Sequence, residues 1–252
     1  MSMGGETWRL NLLGPWELFR GRERVHVTHR QQRLIAALAL LPLRPRAVFA
    51  GLLWPESPNG QAAGNLRAAL WRIRHELPSL LDFRDEDPRL SDTVRMDVEE
   101  FRDRLRSIGT TDWVYDPALL WLIQRADLLP GWDEDWLAFE QERIRQQRFS
   151  ALRTLCGKLL DADDAAGALD AAFLAVSIEP LSESSQTVLL QAQLAAGNYA
   201  AAVRQYRDFS DLLDRELGVE PSPSMHRLLY RGPANLPFAA ITDASRDGVP
   251  GS

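Results

Sequence analysis

Gln61-Ala62-Ala63-Gly64-Asn65-Leu66-Arg67-Ala68-Ala69-Leu70-Trp71-Arg72-Ile73-Arg74-His75-Glu76-Leu77 is the stretch that decides the reading. Plotted at about 100° per residue, Leu66, Leu70, Ile73 and Leu77 share one narrow arc with Ala63 beside them, which predicts a helix buried along a single stripe. Its far side carries Gln61, Asn65, Ala68, Trp71, Arg72 and His75, with Arg67 and Arg74 on the flanks. A turn-rich break from Pro55 to Gly60 precedes it and Pro78 stops it. An apolar back seats such a helix, and a face of long donors and small residues lets it approach base edges in a major groove about 12 Å wide. Arg72 and Arg74 can pair with guanine or phosphate, and Asn65 or Gln61 can offer a donor and an acceptor to adenine. Taken alone, the same composition also suits a solvated surface helix.

The flanking sequence chooses between these readings. Towards the N-terminus, Trp8 to Leu12 alternates, Gly14-Pro15 turns, Trp16 to Phe19 resumes, and Gly21-Arg22 turns again before Val25 and Val27, which predicts a small antiparallel sheet. Thr28 is a reasonable N-cap for a helix with Leu34, Ile35, Leu38 and Leu41 on one stripe, ended by Pro42, and a second short helix fits Val48 to Trp54. After Pro78, apolar positions from Leu81 to Met96 surround the turn-like Asp85-Glu86-Asp87-Pro88 and predict a β-hairpin. Strands, three helices with a cationic third, then a hairpin is the order of a winged helix-turn-helix, assigned to residues 8–97. Arg30, at the start of the first helix, faces either a phosphate or solvent. Trp71 lies off the apolar stripe, so it either packs under the wing or faces thymine methyls or sugars. His75 is read as a surface or phosphate-side residue. The acidic wing tip would repel phosphates, which makes wing insertion the weakest element of this reading.

The rest of the chain is predicted to be helical. Helices fit Val98 to Ile108, Pro117 to Leu128 and Asp133 to about Asp161. A repeat then appears at a spacing of 34, with Leu155 matching Leu189, Leu160 matching Leu194, Ala165 matching Tyr199, Ala168 matching Ala202 and Leu169 matching Val203. Leu152, Leu155, Cys156, Leu159, Ala168, Ala172, Ala175 and Pro180 occupy the large, small and turn positions of a tetratricopeptide hairpin. A short helix from Met225 to Tyr230 closes this second domain, residues 98–231, and 232–252 reads as a disordered tail. The expected fold class is therefore mostly α with small β elements, a winged helix-turn-helix followed by an all-α tetratricopeptide-like domain.

Charge is divided the same way. Residues 1–77 hold eleven arginines against five acidic residues, a net +6, and residues 78–252 carry −12, so the overall −6 conceals a cationic front third. One cysteine, Cys156, excludes an internal disulfide, and four scattered histidines argue against a dedicated metal site. Asp133-Glu134-Asp135 reads as charge at a helix N-terminus, and the acidic run Asp161 to Asp164 as a loop between hairpin helices. With no phosphate-cradling loop and no nucleophile elbow, neither an enzyme nor a bound cofactor is expected. The start of the chain lacks a secretory layout and no long apolar run appears, so a cytoplasmic, nucleoid-associated protein without membrane contact is expected.

The residues resemble those of a known family. Leu13-Gly14-Pro15-Trp16, Gln32-Arg33-Leu34-Ile35-Ala36-Ala37-Leu38, Leu53-Trp54-Pro55-Glu56 and Asn65 to Arg74 stand in its first domain. Leu128-Leu129-Pro130-Gly131-Trp132, Asp135-Trp136, Glu140 to Arg145 and Arg215-Glu216-Leu217-Gly218-Val219-Glu220-Pro221-Ser222-Pro223 stand in its second. Over about residues 8–231 the chain is similar to the actinobacterial antibiotic regulatory proteins, which join an OmpR/PhoB-like winged helix to a bacterial transcriptional activator domain. The resemblance implies an activator that binds direct repeats of promoter DNA, recruits the RNA polymerase holoenzyme and controls secondary-metabolite genes, with a homodimer possible on DNA. The third-helix reading gives Gln61, Asn65, Arg67, Ala68, Trp71, Arg72, Arg74 and His75 as candidate DNA contacts, with Arg30 from the first helix. A helical-repeat scaffold and a ligand-sensing regulator are the alternatives. The chain departs from the family in a shorter link before Val48-Phe49-Ala50 that lacks a polar cap. No phosphate-binding signature is read among these residues, so ATP hydrolysis is not expected of them.

Overall fold

The computed structural model describes residues 7–41, 44–84, 87–110 and 113–230. The expected tail and the wing-tip pair Asp85 and Glu86 lie outside the described residues. Two compact units divide the chain, Met1–Ala151 and Leu152–Ser252.

Alternation builds the N-terminal sheet of the first unit. In β1 (Trp8–Asn11) Trp8 and Leu10 are buried and Arg9 is exposed, and β1 pairs antiparallel with β2 (Glu17–Arg20), which pairs with β3 (Glu23–Arg24). The intervening turns use Gly14 and Gly21 at φ +98° and +61°, a region that residues with a Cβ avoid. Thr28 caps α1 (His29–Leu40) through a capping box with Gln31, and Leu34, Ile35 and Leu38 are buried as expected. α2 (Arg46–Leu53) starts at Pro45 with no side-chain cap. α3 (Asn59–Glu76) packs on α1 and α2 through Ala62, Leu66, Ala69, Leu70 and Ile73. Ala63, expected beside that stripe, is only half-buried; Ala62 and Ala69 are the small residues in the contact.

The wing is the antiparallel pair β4 (Leu81–Arg84) and β5 (Asp87–Leu90). It is shorter than the sequence predicts. A turn from Ser91 to the buried Val94 redirects the chain, and Met96 joins β6 (Arg95–Met96), which pairs parallel with β1 in the order β3-β2-β1-β6. α4 (Asp97–Ser107) follows, and α5 (Ala118–Arg125) ends before Leu128, where the sequence predicted it to stop. Tertiary pairing overrides helix there: the Gly14 amide donates to the Asp127 carbonyl at 2.7 Å, the Leu129 amide to Leu12 at 2.9 Å, and Leu13 bridges Leu128. α6 (Asp135–Asp161) contributes its first part to this unit and its last part to the next.

The second unit stacks helices at the predicted period. α7 (Ala165–Ile178) and α9 (Tyr199–Leu217) begin 34 residues apart, with α8 (Glu183–Ala195) between them and α10 (Pro223–Tyr230) at the end. Burial repeats with the sequence: Leu155 and Leu189 are buried, Ala168 and Ala202 are buried, and Leu160 and Leu194 are half-buried. Ala168, Ala171, Ala172 and Ala175 line the buried side of α7, where small side chains allow close helix approach to α8. Around α9 the core consists of Leu190, Ala202, Val203, Phe209, Leu213, Met225 and Leu229. The protein is thus mostly helical with a small sheet, a winged helix followed by helical repeats.

Candidate nucleic-acid interface

The presentation of α3 depends on what grips its two sides. Its apolar stripe is buried on α1 and α2, and the Trp8 indole N–H donates to the Pro78 carbonyl at 3.1 Å, fixing the chain just past the helix end to the sheet. Glu76, the sole acidic residue of α3, accepts from the Gln31 amide at 2.6 Å. The same Gln31 closes the α1 capping box, so one side chain ties the start of α1 to the end of α3.

That leaves Gln61, Arg67, Ala68, Trp71, Arg72, Arg74 and His75 exposed, and Asn65 half-buried. The structure brings these eight expected residues together on one helix face. Arg67 and Arg72 make no ion pair among the described residues. The Arg74 guanidinium lies 5.4 Å over the ring of Phe83 in the wing, while the residue as a whole stays exposed. Gly60, Gly64 and Ala68 keep the N-terminal half of the face low, and a Cβ built on Gly64 would meet only the tip of Arg67, at 4.0 Å. Trp71 is 62% exposed, which overturns packing under the wing. Its ring stacks on His75 with centroids 4.0 Å apart and planes at 31°. The His75 Nδ1 stands 2.8 Å from the Trp71 carbonyl oxygen. A carbonyl only accepts, so Nδ1 carries the hydrogen and Nε2 of the neutral ring is left as an acceptor. Arg30 is exposed at the first turn of α1, away from this helix in sequence, and stacks 5.0 Å over Trp54.

Several supporting residues escaped the sequence reading. Arg33, on α1, forms a half-buried pair with Glu134, its Nη2 2.7 Å from Oε2, and the Trp136 indole N–H donates to the same oxygen at 3.0 Å. In sequence Glu134 is only charge near a helix start; nothing local pairs it with a residue about a hundred positions earlier. Trp54, the platform for Arg30, likewise gives no periodic signal.

Cys156 is buried, and burial pushes its thiol up to about 11, which keeps it a neutral core residue. Among the described residues no group of three or more His, Cys, Asp or Glu could hold a metal ion, and no helix is long and apolar enough to cross a membrane.

Residues 118–231 match the bacterial transcriptional activator domain. The regulatory protein AfsR of Streptomyces coelicolor is 29% identical over 259 residues, covering 93% of this chain and 25% of that protein. Its counterpart in Streptomyces griseus is 27% identical over 242 residues, covering 90% and 24%. The chain therefore spans about a quarter of the length of these relatives. A solved structure of Mycobacterium tuberculosis EmbR in complex with a low affinity phosphopeptide superposes with a TM-score of 0.72 at 18% identity, over 95% of this chain and 69% of that one.

Proposed function

We propose that this chain, a regulator of the antibiotic regulatory protein type with a bacterial transcriptional activator domain, is a sequence-specific DNA-binding activator whose α3 enters the major groove. One observation carries the reading: α3 buries a complete apolar stripe and exposes Gln61, Arg67, Trp71, Arg72, Arg74 and His75 on the other side, with its one carboxylate turned onto Gln31. Arginines without carboxylate partners are available to phosphates and guanine edges, and Asn65 and Gln61 to adenine. Arg30 reaches a flanking phosphate. The helical domain meets RNA polymerase or a second copy at promoter direct repeats, in the cytoplasm and on the nucleoid, and the genes controlled are those of secondary metabolism. No chemistry on a substrate is part of this reading.

Fluorescence anisotropy with a site chosen from random oligonucleotides tests it. Arg72→Ala is expected to weaken the chosen site by ~1 to 3 kcal/mol and to relax preference at one base pair. Equal binding of wild type and variant to chosen and scrambled duplexes removes α3 from the interface.

A ligand-regulated form of the same reading is favoured by a cavity of about 530 Å³ in the second unit, lined by Arg153, Glu183, Thr187, Gln191, Ser222 and Ser224. A small molecule held there would raise the melting temperature of the protein.

A further inference from the structure

Trp71 is an anomaly on the face it occupies. Its neighbours there are long donors and small residues, whereas an indole left 62% exposed keeps a large apolar surface in water. Other large side chains of this protein are comparably exposed, Phe139 and Trp121 among them, but Trp71 is the one set among the arginines of α3. The ring is also held in advance. His75, one turn later on the same side, packs on it with ring centroids 4.0 Å apart, and the histidine is itself hydrogen-bonded to the Trp71 carbonyl, so the indole is in contact with a ring that is anchored to the helix backbone. Beside the two rings, Ala68 is exposed and carries only a methyl group, which leaves the approach to the indole open.

The floor of the major groove offers donors and acceptors at every base pair but only one apolar group, the C5-methyl of thymine. An indole placed between arginines that bring the helix to the duplex has that single apolar partner among the base edges. We propose that the Trp71–His75 pair reads a thymine, with the indole packed against its C5-methyl and His75 acting as a positioning residue that fixes the ring before DNA arrives. This rests on the reading that α3 enters the major groove. A ring already fixed loses little side-chain freedom on binding, so the methyl contact is expressed as affinity instead of being offset by ordering.

The test uses the whole chain. A binding site is obtained by random-oligonucleotide selection, and each thymine is then replaced singly by deoxyuridine, which removes the methyl and leaves base pairing intact. Anisotropy titration is expected to show one thymine per bound copy at which the replacement weakens wild-type binding by about fourfold, the effect of uncovering one methyl group. In Trp71→Ala that thymine-to-uracil ratio falls to one. His75→Ala lowers the ratio, and His75→Phe, which retains a stacking ring, restores it. Wild-type protein indifferent to every deoxyuridine, or a Trp71→Ala variant that keeps the ratio, overturns the proposal while leaving α3 on the DNA. A ratio unchanged in His75→Ala overturns the positioning role. Failure of the selection to enrich any site overturns the DNA reading itself and this inference with it.

Discussion

Asp97 shows how much can rest on one carboxylate. Its Oδ1 accepts from the Leu12 amide at 2.8 Å and its Oδ2 from the Leu13 amide at 2.9 Å, so the first residue of α4 anchors the end of β1. Burial raises its pKa above 3.8, and the amides of Leu12, Leu13 and Val98 together with the Arg9 charge only partly counter this. A raised folded-state value means that the folded protein holds this proton more tightly than the unfolded chain does. The resulting stabilisation is full below pH 3.8 and is lost as pH rises through the folded value. Asp97→Asn keeps one acceptor and cannot ionise. In urea titrations from about pH 3.5 to about pH 6.5 the advantage of wild type over the variant is expected to be largest at the acid end and to shrink upward. A growing advantage would mean that the amide donors outweigh desolvation. The exposed face of α3 was legible in sequence because amphipathic periodicity alone separates Arg67, Arg72 and His75 from Leu66, Leu70 and Ile73. Gln31, Glu76 and Glu134 were not, since their roles depend on partners that only the fold brings near.

Elements were legible where local signals and burial agree, as at Thr28, whose cap and capping box form as its spacing to Gln31 allows. They failed where a distant strand claims the backbone, as at Met96 in β6 and at Leu128 opposite Leu13. The start of α7 gives a prediction at this scale. Asp164 caps it by accepting from the Gly167 amide at 2.9 Å, and a Cβ on Gly167 would lie 2.5 Å from the Asp164 Oδ2. Gly→Ala inside a helix gains roughly 0.5–1 kcal/mol, whereas losing an N-cap costs about 1 kcal/mol. Gly167→Ala in the wild type displaces the cap, and the two effects nearly cancel. In an Asp164→Ala background no cap remains to lose, so the same substitution is expected to stabilise by roughly 0.5–1 kcal/mol. Chemical denaturation of the four proteins of this cycle measures the coupling; equal effects of Gly167→Ala in both backgrounds would show that the methyl and the cap coexist.

For the whole molecule, three divisions fall at different places. The sequence reading separates modules at residue 97, the activator-domain match begins at 118, and the compact units part after Ala151. Periodicity reports where one pattern ends, whereas compactness depends on contacts such as Arg33 with Glu134 that join the winged helix to residues well beyond it. Charge, by contrast, was readable without any fold: +6 over residues 1–77 against −12 over the remainder. The net charge repels a polyanion, so on the proposed reading attraction to DNA is local to the cationic front third and acts by displacing condensed counterions. Each neutralised phosphate contributes a slope of about −0.9 to log affinity against log salt. If Arg67 meets a phosphate, Arg67→Ala is expected to make that slope shallower by about 0.9 and to weaken chosen and scrambled duplexes alike. An Arg72 that reads a base instead leaves the slope nearly unchanged when removed and narrows the gap between the two duplexes. Anisotropy titrations across a series of salt concentrations separate these outcomes, and a shallow wild-type slope would favour a helical scaffold that binds proteins through its acidic remainder.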